Sequence, residues 1–148
     1  MQLGIAAAVV AVALVVAALL RRRTAPDAPT QPTYQVPRQL DRADFSRPQA
    51  PWLVAVFSSA TCHTCADVVR KAHVLASDEV EVVEVEFSAE RALHERYAID
   101  AVPTLVIVDR EGVVQRSFLG TVTATDLWAA VAECRDPGSG PVGGGGCR

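Results

Sequence analysis

Apolar and polar residues follow one another along this chain in patterns that predict strands and helices. Continuous apolar runs at Trp52–Ser58 and Thr104–Val108 are typical of buried strands. The alternation of valine and glutamate in residues 80–87 predicts another strand. Residues 113–119 predict a further strand, joined to the run before it by a glycine-containing turn at residues 109–112.

Segments with helical spacing lie between and after these strands. Residues 62–76 repeat apolar side chains on one helix face, residues 89–97 predict a charged helix, and residues 123–134 predict a last helix capped by a threonine. A short helical turn is expected at residues 40–45. The order strand–helix–strand–helix–strand–strand–helix predicts an α/β fold in three layers, with helices covering a mixed central sheet.

The N-terminal segment has a different pattern. Residues 3–20 are 18 uncharged, almost wholly apolar positions, and as a helix they would span about 27 Å, just enough to cross a bilayer. A cleaved signal peptide would have positive charge before its apolar stretch and small residues after it. Here Leu19 and Leu20 are followed by three arginines. We therefore predict one N-terminal transmembrane helix, an anchor at residues 1–22.

The remainder divides into a linker, a domain and a tail. Residues 23–37 contain four prolines and few apolar residues, which predicts an extended linker. Residues 38–135 contain all the predicted strands and helices, and residues 136–148 include four consecutive glycines and are expected to be disordered. Arginines flanking a span favour its cytoplasmic side, so residues 21–23 predict a cytoplasmic domain at the cell membrane. An outward-facing domain is the alternative.

Composition adds bounds on function. The chain has 148 residues, half of them apolar, which suits one small domain with a core. Its net charge of −3 does not indicate a nucleic-acid-binding surface. Four cysteines at irregular spacing do not resemble a disulfide scaffold. The sequence implies no cofactor.

Two of the cysteines, Cys62 and Cys65, lie where a predicted strand meets a predicted helix. The N–H groups and dipole at a helix start favour an anion, so Cys62 can ionise near neutral pH. We predict that Cys62 is the nucleophile of dithiol/disulfide exchange and that the more buried Cys65 is the resolving thiol. The alternatives are inert thiols, or half of a zinc site completed by other potential ligands: His63, His73, Cys134 and Cys147.

A second signal lies downstream of this motif. Val102-Pro103-Thr104 precedes an apolar strand, and a hairpin ending in Gly120 follows it. With Phe57, the Tyr-Ala-Ile segment at 97–99 and Gly112, the pattern resembles the thioredoxin superfamily over roughly residues 36–134. The resemblance implies a thioredoxin-like fold and a thiol:disulfide oxidoreductase of cell redox homeostasis. Its partners would be protein disulfides or dithiols.

The resemblance also implies roles for residues outside the cysteine pair. A cis Val102–Pro103 bond would expose the Val102 backbone to an extended substrate peptide, and Gly120 would keep that groove open. Both Pro103 and Gly120 could instead be ordinary turn residues. A charged His63 would favour the neighbouring thiolate and raise the reduction potential, or else His63 points into solvent with little effect.

The chain departs from usual thioredoxins near the motif. Thr61 replaces the usual tryptophan, and apolar Val56 replaces a buried aspartate that moves protons. Glu84 stands where the lysine partner of that aspartate is found. A half-buried Glu84 could serve as the acid/base of the reaction. The alternative is a solvent-facing strand glutamate like Glu81.

These observations predict a membrane-tethered, monomeric thiol:disulfide oxidoreductase with an unidentified electron donor or acceptor. One alternative is a non-catalytic redox-sensing or adaptor module that binds a membrane partner. Another is a metal-handling domain that uses the cysteine motif. Cys134 is expected to be a small core residue, while Cys147 in the tail could pair with Cys134, relay electrons or have no role.

Overall fold

The structure is a computed structural model in which residues 34–138 are described. A 3-10 turn at Arg42–Asp44 precedes an alternation of strands and helices: β1 (Trp52–Ser58), α1 (Cys65–His73), β2 (Val80–Glu86), α2 (Arg91–Arg96), β3 (Thr104–Val108), β4 (Val114–Leu119) and α3 (Ala124–Arg135). The predicted element order is confirmed. The predicted membrane anchor lies outside the described residues, and within 34–138 no helix has the length and apolar character needed to cross a bilayer.

The strands form one mixed sheet in the order β2-β1-β3-β4. β1 runs parallel to β2 and antiparallel to β3, and β3 and β4 form an antiparallel hairpin. Parallel neighbours need a crossover between them, which α1 provides. β1 lies inside the sheet and every residue after Trp52 in it is buried, which explains why its sequence is continuously apolar rather than alternating.

Two hydrophobic clusters cover the two faces of the sheet. On one face, residues of β1 and β3 pack against α1 and α3, with Val54, Val68 and Leu127 fully buried. On the other face, Phe57 and Val85 pack with residues of α2 and of the segment before β1. Successive strand residues point to opposite faces, so β1 contributes to both clusters. The predicted three-layer α/β arrangement is thereby confirmed.

Helix α1 begins and ends inside the predicted range. Apolar spacing predicts a start at Cys62, but residues 62–64 form a turn in which Cys65 N–H donates to Cys62 C=O. The helix ends at His73 instead of reaching residue 76, because tight turns follow it: Leu75 N–H donates to Ala72 C=O. The two cysteines of the motif therefore straddle the helix start instead of both lying in the helix.

Glu81 is the clearest departure from the predicted burial pattern. The sequence predicts that it faces solvent, yet it is only 3% exposed. Its carboxylate accepts hydrogen bonds from Ser46 Oγ at 2.6 Å and Arg47 N at 2.8 Å, and lies 3.9 Å from the buried Arg42 guanidinium. Burial lowers the pKa of Arg42, while the charges of Glu81 and Asp109 oppose that shift. These contacts fasten the segment before β1 to edge strand β2.

Candidate active site

The two cysteines of the motif form a disulfide at the end of β1. Cys62 and Cys65 have an S–S distance of 2.10 Å and a Cα–Cα distance of 5.4 Å. Cys62 lies in the turn and is half-buried, whereas Cys65 is the first residue of α1 and is only 3% exposed. An incoming thiol or disulfide therefore reaches the Cys62 sulfur more readily. This difference in exposure agrees with the predicted order of nucleophile and resolving thiol.

A carboxylate that no sequence motif indicates, that of Glu86, holds the loop before Cys62. Glu86, the last residue of β2, accepts backbone hydrogen bonds from Ala60 at 3.0 Å, Ser88 at 2.8 Å and Ala89 at 3.0 Å. The bond from Ala60 is the main reason that the pKa of Glu86 is lowered, and the other two add to it. Glu86 thus joins the active-site loop to the turn that follows β2.

The proline signal lies at the same end of the sheet as the cysteine loop. The Val102–Pro103 bond is cis. In the antiparallel register, Phe57 near the end of β1 pairs with Thr104, so Pro103 lies beside the strand end from which the cysteine loop leaves. Gly120 N–H donates to Pro103 C=O at 2.8 Å. A Cβ atom on Gly120 would meet no described atom within 4 Å, so the space over Gly120 is open.

The two residues between the cysteines differ in their contacts. His63 is exposed, and its ring takes part in none of the hydrogen bonds or ion pairs found between residues 34 and 138. This arrangement favours the solvent-facing alternative for His63. Thr64, to which no sequence pattern assigns a function, has its hydroxyl oxygen 3.6 Å from the Cys62 sulfur.

Glu84 occupies the predicted register, in the solvent-facing environment that was the alternative to half-burial. It pairs with Val56 in the parallel ladder, as the comparison with thioredoxins implied. Of the two environments considered for Glu84, the structure has the solvent-facing one: Glu84 is exposed, although Val80, Glu81 and Val85 on the same edge strand are buried. Its carboxylate accepts a hydrogen bond from Ser58 Oγ at 2.6 Å, and Ser58 is only 1% exposed. The sequence feature that could have indicated this contact is Ser58, two residues after Val56 on the same strand face.

The other residues that could complete a zinc site do not lie together at the cysteine motif. Cys134 is buried in the core on α3, and Cys147 lies outside the described residues, so its role stays a prediction. Within residues 34–138, no three side chains of histidine, cysteine, aspartate or glutamate are placed to hold a metal ion together. This part of the chain gives no support to the metal-handling alternative.

Comparison with known protein families shows a match to one family model. The family model described as Thioredoxin matches residues 42–133, more than half of the chain. The X-ray structure of Fasciola hepatica thioredoxin has 24% identity and a TM-score of 0.50, over 58% of this chain and 83% of that one. The structure of a malarial protein has 14% identity and a TM-score of 0.50, over 55% of this chain and 93% of that one.

A further similar structure is that of a mutant thioredoxin from Halobacterium salinarum. It shares 22% identity at a TM-score of 0.45, over 53% of this chain and 69% of that one. No curated protein matches the chain. The first two structures support the fold, and the family model supports the family.

Proposed function

This chain belongs to the thioredoxin family, and from that premise we propose that it exchanges its Cys62–Cys65 disulfide with disulfides and dithiols of protein substrates. The observation that carries the proposal is the pairing of a half-buried Cys62 with a buried Cys65 at the start of α1. Family membership supports thiol-disulfide oxidoreductase activity. The specific substrates and the direction of exchange belong to the proposal.

The reaction proceeds in two exchanges. In the reduced protein, the Cys62 thiolate attacks a substrate disulfide, a mixed disulfide forms, and one substrate sulfur leaves as a thiolate. Cys65 then loses its proton and attacks the Cys62 sulfur, which restores the Cys62–Cys65 disulfide and releases the second substrate thiolate. Two electrons pass from the dithiol to the substrate. The same steps in reverse oxidise a substrate dithiol.

The substrate segment would lie along Val102. The cis bond before Pro103, the hydrogen bond from Gly120 to Pro103 and the open space over Gly120 support a groove at this position. An extended peptide in the groove would pair with the Val102 backbone as an added strand does. His63 is exposed beside the cysteines and would contact a bound substrate through solvent-accessible atoms.

Catalysis itself tests this function. The reduced full-length protein should accelerate reduction of a protein disulfide by dithiothreitol over many turnovers. A redox-sensing or adaptor module would instead bind its partner stoichiometrically without turnover. The reduction potential of the Cys62–Cys65 pair, measured against glutathione, would then distinguish a reductant from an oxidant.

We expect Glu84 to accept the Cys65 proton in the resolving step, relayed by the Ser58 hydroxyl. The hydrogen bond from Ser58 to Glu84 supports the last step of this route, from the hydroxyl to the carboxylate. Glu84→Gln should slow release of the second substrate thiol on the order of tenfold. Loss of a buried general base would slow it more, because water can replace an exposed carboxylate as the proton acceptor. The initial attack by Cys62 should keep its rate. Single-turnover kinetics across pH measure both steps.

The control is Glu111→Gln, which neutralises an exposed glutamate in the β3–β4 turn. That variant should match the unmodified protein in both steps. A rate-versus-pH profile for Glu84→Gln that overlays that of the unmodified protein would remove Glu84 from the mechanism.

We also propose that residues 1–22 anchor the protein and that the domain faces the cytoplasm, where thiols are kept reduced. The support is the apolar stretch and the three arginines after it. A membrane-impermeant maleimide should label reduced Cys62 after lysis but not in intact cells. Labelling in intact cells would place the domain outside. A thiol-oxidase or cytochrome-maturation type of role would then replace that of a cytoplasmic reductant.

A further inference from the structure

Thr64 lies where a helix-capping residue is expected, yet it does not cap the helix. It is the N-cap residue of the nine-residue helix α1, and its side chain accepts no hydrogen bond from that helix. Threonine at this position ordinarily accepts a bond from a backbone N–H of the first turn. The backbone explains the difference, because Thr64 has φ −91° and ψ −16° instead of the extended conformation usual for a cap.

Helix α3 of the same molecule provides a direct comparison. Its N-cap residue, Thr123, has φ −79° and ψ 152°, and its hydroxyl accepts a hydrogen bond from Asp126 N at 3.1 Å. The same side chain in the same helix position therefore caps α3 and leaves α1 uncapped by its hydroxyl. The Thr64 hydroxyl is available for another partner.

That partner is the reacting atom of the site. Thr64 Oγ1 lies 3.6 Å from Cys62 Sγ, within hydrogen-bond reach of sulfur. The ring of His63, the other residue between the cysteines, faces solvent. Hydrogen bonds to a charged acceptor are stronger than those to a neutral one, so the same contact gains strength when Cys62 is reduced and ionised.

We propose that Thr64 is a catalytic residue whose hydroxyl donates a hydrogen bond to the Cys62 thiolate and stabilises it for attack. This inference rests on the proposed function and deepens it. The proton stays on Thr64 Oγ1 throughout, so no atom is exchanged. When Cys62 attacks, its electron pair forms the new S–S bond, the charge moves to the departing sulfur, and the hydrogen bond weakens. Thr64 thus increases the fraction of protein that carries the nucleophile.

Two substitutions separate the hydroxyl from the rest of the side chain. Thr64→Val keeps the shape and removes the donor, and Thr64→Ser keeps the donor and removes the methyl group. The reduced full-length protein is alkylated with iodoacetamide across pH, and the peptide containing Cys62 is followed by mass spectrometry. Urea unfolding of each variant verifies that the domain remains folded.

We expect Thr64→Val to move the midpoint of the Cys62 alkylation profile upward by about half a unit to one unit. Alkylation at pH values well below both midpoints should then fall about three- to tenfold, and the difference should disappear at high pH, where both proteins are ionised. Thr64→Ser should stay close to the unmodified protein. If Thr64 served only to support the fold, Thr64→Val would change Cys62 alkylation at every pH and not only at low pH.

Two results would overturn the proposal. One is an unchanged midpoint in Thr64→Val. The other is an equal shift in Thr64→Val and Thr64→Ser, which would assign the effect to the helix start instead of the hydroxyl. Alkylation requires no protein substrate, so failure of the oxidoreductase function would appear separately, as an absence of catalysed protein-disulfide reduction by a protein whose Cys62 still responds to Thr64→Val.

Discussion

Cys62→Ser is expected to abolish disulfide exchange, whereas Cys65→Ser is expected to leave the protein attached to its substrates. Cys62 is the accessible sulfur and Cys65 is almost fully buried behind it. Without Cys62 there is no thiolate to attack, so activity should fall by roughly a thousandfold or more, the scale that accompanies loss of a catalytic nucleophile. Without Cys65 the attack still occurs, but nothing resolves the mixed disulfide.

The two variants give different observables. Turnover is measured as catalysed reduction of a protein disulfide, and trapped complexes are measured on non-reducing gels with mass spectrometry of the linked peptides. Cys65→Ser should accumulate mixed disulfides through Cys62, and the double variant with both serines should accumulate none by this route. Capture by Cys62→Ser but not by Cys65→Ser would reverse the assignment of the two thiols.

The central part of this fold could be predicted from the sequence because its buried strands appear as runs of apolar residues. β1 has sheet neighbours on both sides and clusters on both faces, so it is continuously apolar. The hairpin of β3 and β4 follows from an apolar run, a turn with Gly112 and a second run. The cysteine spacing and Val102-Pro103 are local signals, and the structure places both at one end of the sheet.

The environments of the glutamates on β2 could not be predicted in the same way. Glu81 and Glu84 lie on opposite faces of the strand, but alternation alone does not say which face is covered. Glu81 is buried because the segment before β1 brings Ser46, Arg47 and Arg42 over it. On the opposite face Glu84 stays exposed, and Ser58 is the side chain that contacts its carboxylate. Both outcomes depend on tertiary contacts that periodicity does not record.

The contact between Thr64 and Cys62 also could not be predicted from the sequence pattern. Apolar spacing locates a helix only to within a few residues, and the cysteine motif falls within that margin. Whether a threonine caps a helix or reaches a sulfur depends on its ψ angle, as Thr64 and Thr123 show. The contact between Thr64 and the first thiol therefore depends on a backbone detail of one residue.

Gly112→Ala is expected to destabilise the domain far more than Gly120→Ala, although both glycines have positive φ angles, of 86° and 80°. At Gly112 an added Cβ would overlap with the carbonyl oxygen of Leu40. That oxygen belongs to the backbone of the segment before β1, which is held to the turn by the hydrogen bond from Leu40 N to Gly112 O. At Gly120 the added Cβ would have open space.

The pair of variants separates backbone strain from a steric clash. Gly120→Ala should cost about 1 kcal/mol of unfolding free energy from the left-handed conformation alone, whereas Gly112→Ala adds overpacking against a fixed backbone and should cost about 2–4 kcal/mol. Urea unfolding at pH 7 measures both.

The two variants should rank in the opposite order for catalysis, because only Gly120 lies in the proposed substrate groove. Gly120→Ala should raise KM for a protein disulfide and leave reduction of a small disulfide unchanged. Equal losses of stability would show that the Leu40 contact yields without cost, and unchanged KM in Gly120→Ala would remove the open space over Gly120 from substrate binding.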